Sequence, residues 1–231
     1  MKENEFIKEL EKLNILLTEE QLFKLDKFYN LLISWNEKIN LTRIVSKEDV
    51  YLKHFYDSLT LIKEIDLTKN LTLCDVGTGA GFPGIVLKIV FPNLKITLID
   101  ALQKRVNYLN AIIEELELDD IIAVHSRSED YARDNYEKFD IVTARAVANL
   151  RILSELCIPM VKVNGYFIAM KSSVLDELKD SELILKSLNS KIINVNNFTL
   201  PYENSQRNLV KIQKNAKTSH KYPRNFAQIK K

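Results

Sequence analysis

The chain has 231 residues, enough to bury a full core as one domain with an extension. Its hydrophobic fraction of 46% and charged fraction of 28% are those of an ordinary soluble globular protein. No apolar run reaches the length of a membrane span, and the charged start MKENEFIKEL lacks a signal peptide's apolar stretch. The net charge of +2 says little about partners. The two cysteines, Cys74 and Cys157, lie in apolar runs without metal-ligand spacing. They read as buried free thiols in a reducing, cytoplasmic setting, with no metal expected.

Residues 3–70 read as helices. Phe6, Ile7, Leu10 and Leu13, then Leu22, Leu25, Phe28, Tyr29 and Leu32, recur at helical spacing. Thr18 followed by Gln21 is a capping box for the second helix. Ser46, with Asp49 three residues on, starts a third that carries Val50, His54, Leu61 and Ile65. The region holds no glycine or proline, so short polar turns such as 36–42 must join the helices. Asn36 and Asn40 break the helical period there, and His54 and Asp57 stand one helical turn apart. The asparagines read either as local caps or as a wall of a binding site; His54 reads either as a satisfied core or surface histidine or as part of that wall.

Residues 71–84, LTLCDVGTGAGFPG, are the stretch around which the rest is organised. A strand-like run ends in Asp75, four glycines follow (Gly77, Gly79, Gly81, Gly84), and an apolar stretch then begins a helix. Gly79-x-Gly81-x-x-Gly84 satisfies the dinucleotide pattern, and Asp100 lies where an acid would hold ribose hydroxyls. Asp75 argues the other way: a carboxylate before the first glycine repels a pyrophosphate and attracts an ammonium or a sulfonium. S-adenosylmethionine carries both cations and a ribose, so it is favoured over NAD.

Strands at 71–75, 94–100, 121–125, 139–144 and 165–170 alternate with helices at 82–91, 103–116, 128–132 and 150–160. That order predicts an α/β fold, a Rossmann-like, mostly parallel sheet with helices on both faces, with ligands outside the carboxyl ends of the strands. Asp75, Asp100, Arg127–Glu129 and Arg145 all fall at such ends. One more helix after residue 174, then strands at 192–200 and 207–213 around the turn 202–205, predict a C-terminal antiparallel hairpin, as class I S-adenosylmethionine-dependent methyltransferases have. The expected organisation is a helical extension (1–70), a cofactor-binding core (71–213) and a basic C-terminal tail (214–231). No acidic residue follows Glu203, whereas Arg207, Lys211, Lys214, Lys217, Lys221, Arg224, Lys230 and Lys231 do, interleaved with Tyr222 and Phe226. Aromatic residues among cations favour nucleic acid, the alternative being a solvated tail.

Trp35-Asn…Asn40-Leu-Thr, His54…Asp57-Ser-Leu, Asp75-Val-Gly-Thr-Gly-Ala-Gly-Phe-Pro-Gly, Lys104-Arg105, Arg127…Glu129, Arg145-Ala-Val-Ala, Lys171 and Arg207-Asn-Leu-Val recur in order over nearly the whole chain. With these stretches the sequence resembles the ribosomal RNA small subunit methyltransferase G family, also called glucose-inhibited division protein B. Tyr222-Pro-Arg224-Asn225 resembles the family's basic ending, from which Asn225 departs. The resemblance implies methylation of N7 of guanine 527 in 16S ribosomal RNA, with S-adenosylmethionine as methyl donor and the RNA or the small subunit as partner. It implies that Asp75, Gly77, Thr78, Gly79, Gly81, Phe82, Asp100, Ala101, Arg127, Ser128, Glu129 and Arg145 bind the cofactor, that Arg145 also meets the reacting groups, and that Asn40, His54, Lys104, Arg105, Lys171, Arg207 and Arg224 bind RNA. Neither a membrane nor a metal is implied, and a monomer is expected. The rivals are an NAD-binding oxidoreductase, weakened by Asp75, and a non-catalytic RNA-binding module, which would not need to keep a cofactor loop.

Overall fold

Successive side chains of a strand point to opposite faces, and in this sheet the two faces feed two separate cores. Leu73, Ile96, Leu98, Ile141 and Ile168 belong to one core, and Cys74, Ile99, Val142, Phe167 and Ala169 to the other. The computed structural model describes residues 1–145 and 147–230; Ala146 of the 145–148 motif and Lys231 of the basic end lie outside the described residues. The strands are β1 (Thr72–Val76), β2 (Lys95–Asp100), β3 (Ile121–His125), β4 (Phe139–Arg145), β5 (Val161–Lys171), β6 (Ser190–Thr199) and β7 (Gln206–Lys214). They form one sheet in the order β3-β2-β1-β4-β5-β7-β6. β1 to β5 pair in parallel, and β7 runs antiparallel between β5 and β6. The strand order reverses between β1 and β4, which opens the crevice where ligands bind in open α/β sheets.

The first face is covered by α1 (Glu3–Glu11), α2 (Glu19–Ile39), α3 (Lys47–Val50), α4 (Asp57–Leu59), α5 (Gly84–Val90) and α6 (Gln103–Glu115). The second is covered by α7 (Ser128–Asp134), α8 (Leu150–Cys157), α9 (Leu175–Ser187) and α10 (Phe226–Ile229). The N-terminal helices therefore share a core with the sheet. The capping box at Thr18 forms, with Gln21 N donating to Thr18 Oγ1 (3.2 Å) and Thr18 N to Gln21 Oε1 (3.0 Å). Gln21 Nε2 also donates to the carbonyls of Ile89 (3.2 Å) and Val90 (3.0 Å), so one side chain caps the start of α2 and the end of α5. Asn40 ends α2 in the left-handed region (φ 51°), and Asn36 Oδ1 accepts from the backbone N–H groups of Leu41 (2.7 Å) and Thr42 (2.8 Å). Of the two readings of these asparagines, local capping is what the geometry shows.

Most boundaries fall within two residues of the sequence-based expectation, and three larger departures each have a local reason. Between α3 and α4 the chain winds as a π-helical turn over Tyr51–Tyr56, a device no side-chain periodicity announces. Helix α8 stops at Cys157 and a 3₁₀ turn, Ile158–Met160, carries Pro159, which lacks the N–H that a further α-turn needs. Strand β5 starts at Val161, ahead of Gly165, because a register shift between Phe139 and Ile141 of β4 lets the pairing continue past the interruption.

The C-terminal segment folds back on the second face instead of forming a solvated tail. Ile229 is fully buried, and Tyr222 and Phe226 pack against the second core. The Tyr136 hydroxyl donates to the Tyr222 carbonyl. Arg224, expected to meet RNA, instead forks onto the buried carboxylate of Glu155 on α8 (2.9 and 2.7 Å), which also accepts from the Arg224 N–H (2.8 Å). Removing the guanidinium leaves Glu155 buried without its counter-ion. Arg224→Ala is therefore expected to lower unfolding stability by about 2–3 kcal/mol, less than a fully buried pair because the arginine is partly exposed. Urea denaturation measures it; unchanged stability with weakened RNA binding would restore Arg224 as an RNA contact.

Candidate active site

Asp75 lies at the end of β1, fully buried under the glycine loop. Its Oδ2 accepts from Thr78 Oγ1 (2.7 Å) and from the Gly84 N–H (2.9 Å), tying both ends of the loop to the strand. Burial pushes the Asp75 carboxyl up to about 6, against those two hydrogen bonds, which favour the ionised form. Asp75 Oδ1 has no partner among the described residues. The carboxylate thus braces the loop from below, with one oxygen uncommitted, whereas the sequence had it simply facing the ligand. Glycine is required at Gly84 by close approach: a Cβ there would lie 2.2 Å from Leu98 Cδ2. Gly79 is required by its φ of +60°, and its open side meets only the Gly77 carbonyl at 4.0 Å.

Asp100 ends β2 beside the loop. Its Oδ2 accepts from the Gly79 N–H (3.0 Å) and its Oδ1 from the Leu102 N–H (2.9 Å). Arg105, expected on RNA, pairs instead with Asp100 (3.3 Å), while Lys104 is exposed on α6. Ala101 and Leu102 follow as exposed apolar surface. At the end of β3, Arg127 is exposed, Ser128 half-buried and Glu129 buried at the start of α7.

A second cluster forms where β4 ends. Arg145 Nη1 donates to Asp57 Oδ2 (2.8 Å) and the Lys53 carbonyl (3.2 Å), and Nη2 bonds His54 Nδ1 (3.2 Å). The guanidinium also lies over the Phe82 ring at 5.3 Å, a cation–π contact. His54 stacks on the same ring (4.4 Å, 19°) and bonds Thr42 Oγ1 through Nε2 (3.0 Å). Arginine only donates, so Nδ1 must accept, and the imidazole proton sits on Nε2. Arg207 Nε bonds the other oxygen of Asp57 (3.0 Å) and its Nη1 the Gln206 carbonyl (2.9 Å). Lys171, at the end of β5, bonds Glu177 (2.9 Å) and the Ala148 carbonyl (2.7 Å). Lys53, His54, Asp57, Arg145, Met170, Lys171, Ser172 and Arg207 line a cavity of about 300 Å³.

The structure thus joins Asp75, Thr78, Gly79 and Asp100 in one hub, and His54, Arg145, Lys171 and Arg207 in an adjoining cavity, with Phe82 between them. Asn40, Lys104, Arg105, Arg127 and Arg224 do not line that cavity. Asp57 was missing from the predicted site; its spacing from His54 was visible, but only the fold turns both toward Arg145.

The hub fits S-adenosylmethionine. It offers an open glycine surface, a buried acceptor without a partner in Asp75 Oδ1, and apolar residues after the Asp100 carboxylate. Among the described residues no helix is long and apolar enough to cross a membrane, and no three His, Cys, Asp or Glu side chains gather as metal ligands. Sheet, glycine loop and strand-end carboxylates together define a class I S-adenosylmethionine-dependent methyltransferase. The fold is shared with a SAM-dependent methyltransferase from Aquifex aeolicus (TM-score 0.52, 19% identity, 78% of this chain and 97% of that one). It is shared too with the Methanococcus jannaschii fibrillarin pre-rRNA processing protein (TM-score 0.52, 18% identity, 68% and 74%). A family profile described as rRNA small subunit methyltransferase G matches residues 21–215. Two proteins bearing the name ribosomal RNA small subunit methyltransferase G are similar over most of their length. That of Staphylococcus saprophyticus is 49% identical over 90% of this chain and 88% of its own. That of Bacillus velezensis is 48% identical over 95% and 93%. The chain belongs to the rRNA small subunit methyltransferase G family.

Burial first, and the Arg145 charge second, hold His54 down at about 3. Its imidazole is therefore expected to stay neutral from pH 8 to pH 5, which nitrogen chemical shifts report directly. Because the unfolded ring takes up a proton near 6.5 and the folded one does not, stability falls as pH drops from about 6.5 towards 3. A His54 resonance that titrates near 6.5 would refute both statements.

Proposed function

We propose that this chain methylates N7 of guanine 527 in 16S ribosomal RNA, on the small ribosomal subunit in the cytoplasm. The observation that carries the reading is the cavity beside the glycine loop, which offers cations to RNA but no free base. Lys53, Arg145, Lys171 and Arg207 line it, gathered there by ion pairs with Asp49, Glu203, Glu177 and Asp57, and this concentration of cations is what supports a polyanionic partner. Its imidazole has both nitrogens engaged, and each oxygen of Asp57 is bonded to a guanidinium group. When bound, S-adenosylmethionine supplies a methyl carbon on a sulfonium, which the free N7 lone pair takes while the C–S pair stays on sulfur. No proton leaves N7, so the absence of a free base suits this atom. The work of the protein is alignment and charge placement.

In this reading Gly77, Gly79 and Gly81 let the backbone approach the cofactor, and Asp75 Oδ1 faces its cationic part. Asp100 takes the ribose hydroxyls, with Thr78 and Ala101 beside it, while Arg127, Ser128 and Glu129 lie by the purine. Phe82 forms the wall shared with the cavity, and His54 holds Arg145 in place. Arg145 meets the target base. Lys171 and Arg207 take phosphates, joined by exposed Lys104 and Asn40. The extension 1–70, the core 71–213 and the segment 214–231 work as one unit, since Asp57 and Arg145 come from the first two. Both are supplied by a single chain, so the working unit is a monomer.

The test is methyl transfer from labelled S-adenosylmethionine to small subunits lacking the modification, with the product mapped by N7-specific strand cleavage. One labelled guanine is expected, and Arg145→Ala should lower transfer about a hundredfold or more. Label at another nucleotide, or none with the cofactor still bound, would overturn the substrate.

A further inference from the structure

Asp57 and Arg145 stand side by side in the cavity, a carboxylate 2.8 Å from a guanidinium. Among the described residues, Asp57 is the only carboxylate that lines the cavity. Its burial is nearly complete, at 4% exposed. Each of its oxygens accepts one arginine N–H, from Arg145 and Arg207. A carboxylate offers about four lone-pair positions, so each oxygen has one left. Arg145 has five N–H groups. Two on Nη1 and one on Nη2 are engaged, which leaves the Nε–H and one Nη2–H. Arg145 and Asp57 both line the cavity, so its wall carries a guanidinium with two uncommitted N–H groups and a carboxylate with uncommitted lone pairs.

We propose that the Arg145–Asp57 ion pair selects guanine, Arg145 donating to O6 and the two oxygens of Asp57 accepting from N1–H and the 2-amino group. The proposal rests on the reading of the cavity as the pocket for the target base. Guanine carries acceptor, donor, donor along O6, N1 and N2, the complement of an arginine followed by a carboxylate. Adenine would set its 6-amino group against the guanidinium and its N1 lone pair against the carboxylate, leaving buried groups unpaired. Cytosine and uracil have no N7. Contact along this edge leaves N7, on the far side of O6, free to react.

The same pair suits the reaction. As N7 forms its new bond, the purine becomes cationic, and the N1–H and 2-amino hydrogens become stronger donors. Their hydrogen bonds to Asp57 strengthen as the reaction proceeds, which favours the transition state over the ground state. Asp57 also holds Arg145 and Arg207 in place, so a rate loss alone would not distinguish reading the base from positioning the arginines.

The test uses reconstituted small subunits carrying guanosine or inosine at the target position. Inosine keeps N7, O6 and N1–H and lacks only the 2-amino group. The parent enzyme is expected to favour guanosine in kcat/KM by about tenfold. Asp57→Asn keeps the shape and one acceptor, and should bring that ratio close to one. Arg207→Ala, which leaves the carboxylate in place, should lower both rates and keep the ratio. Where a variant turns over too slowly, the ratio of Kd values for the two subunits gives the same readout. A parent without preference, or an Asp57→Asn variant that retains it, overturns the proposal. No transfer by the parent to guanosine subunits overturns the reading beneath it, and the proposal with it.

Discussion

The guanidinium of Arg145 joins the last residue of a central strand to a helical region far away in sequence. Asp57 and His54 lie 88 and 91 residues before it, and the contacts to both are made in a half-buried site. Arg207, 150 residues beyond Asp57, reaches the same carboxylate from the antiparallel hairpin. Three parts of the chain thus converge on one negative group. Taking away one member of a buried pair costs roughly 3–5 kcal/mol, because the other charge is left uncompensated. The arrangement is therefore a poor place for drift in position, and a site that works by alignment needs that rigidity.

The glycine loop repeats this logic with a different balance. A single carboxylate oxygen of Asp75 holds both ends of the loop, and its burial disfavours the charged form. The second oxygen is left without a hydrogen bond among the described residues. An unpaired buried acceptor is a cost to the protein alone, and a cationic ligand within reach of it relieves that cost. The loop is thus held by the same group whose remaining oxygen favours a bound cation. The Asp100 carboxylate at the next strand end is engaged in the same way, on the Gly79 and Leu102 N–H groups.

Local sequence carried the parts of this design that depend on neighbours along the chain. The Thr18–Gln21 box, the glycine turn after β1, the alternation of strands and helices and the gathering of charged residues at strand ends all follow from short-range rules. Partner choice among charges did not. The family resemblance implied Arg105 and Arg224 as RNA contacts, yet each pairs with a buried carboxylate, Asp100 or Glu155. Asp57 was legible only as a neighbour of His54, because its contacts come from residues 88 and 150 positions away. The π-turn over Tyr51–Tyr56 left no mark in the apolar spacing, because a single wide turn changes only which side of the helix the next residues occupy.

The two cores on either side of the sheet close at different moments of synthesis. The N-terminal helices leave the ribosome first, yet Gln21 waits for carbonyls 68 and 69 residues later, and Phe28 for the ring of Phe82. Until then their apolar faces have no sheet to cover, and the nascent chain exposes surface that chaperones recognise. The second core is completed after the first, since Ile229 joins it only once every strand has been made. A ribosome that stalls or terminates early in the final segment would therefore release a protein with its cofactor loop formed and one face of its sheet still open.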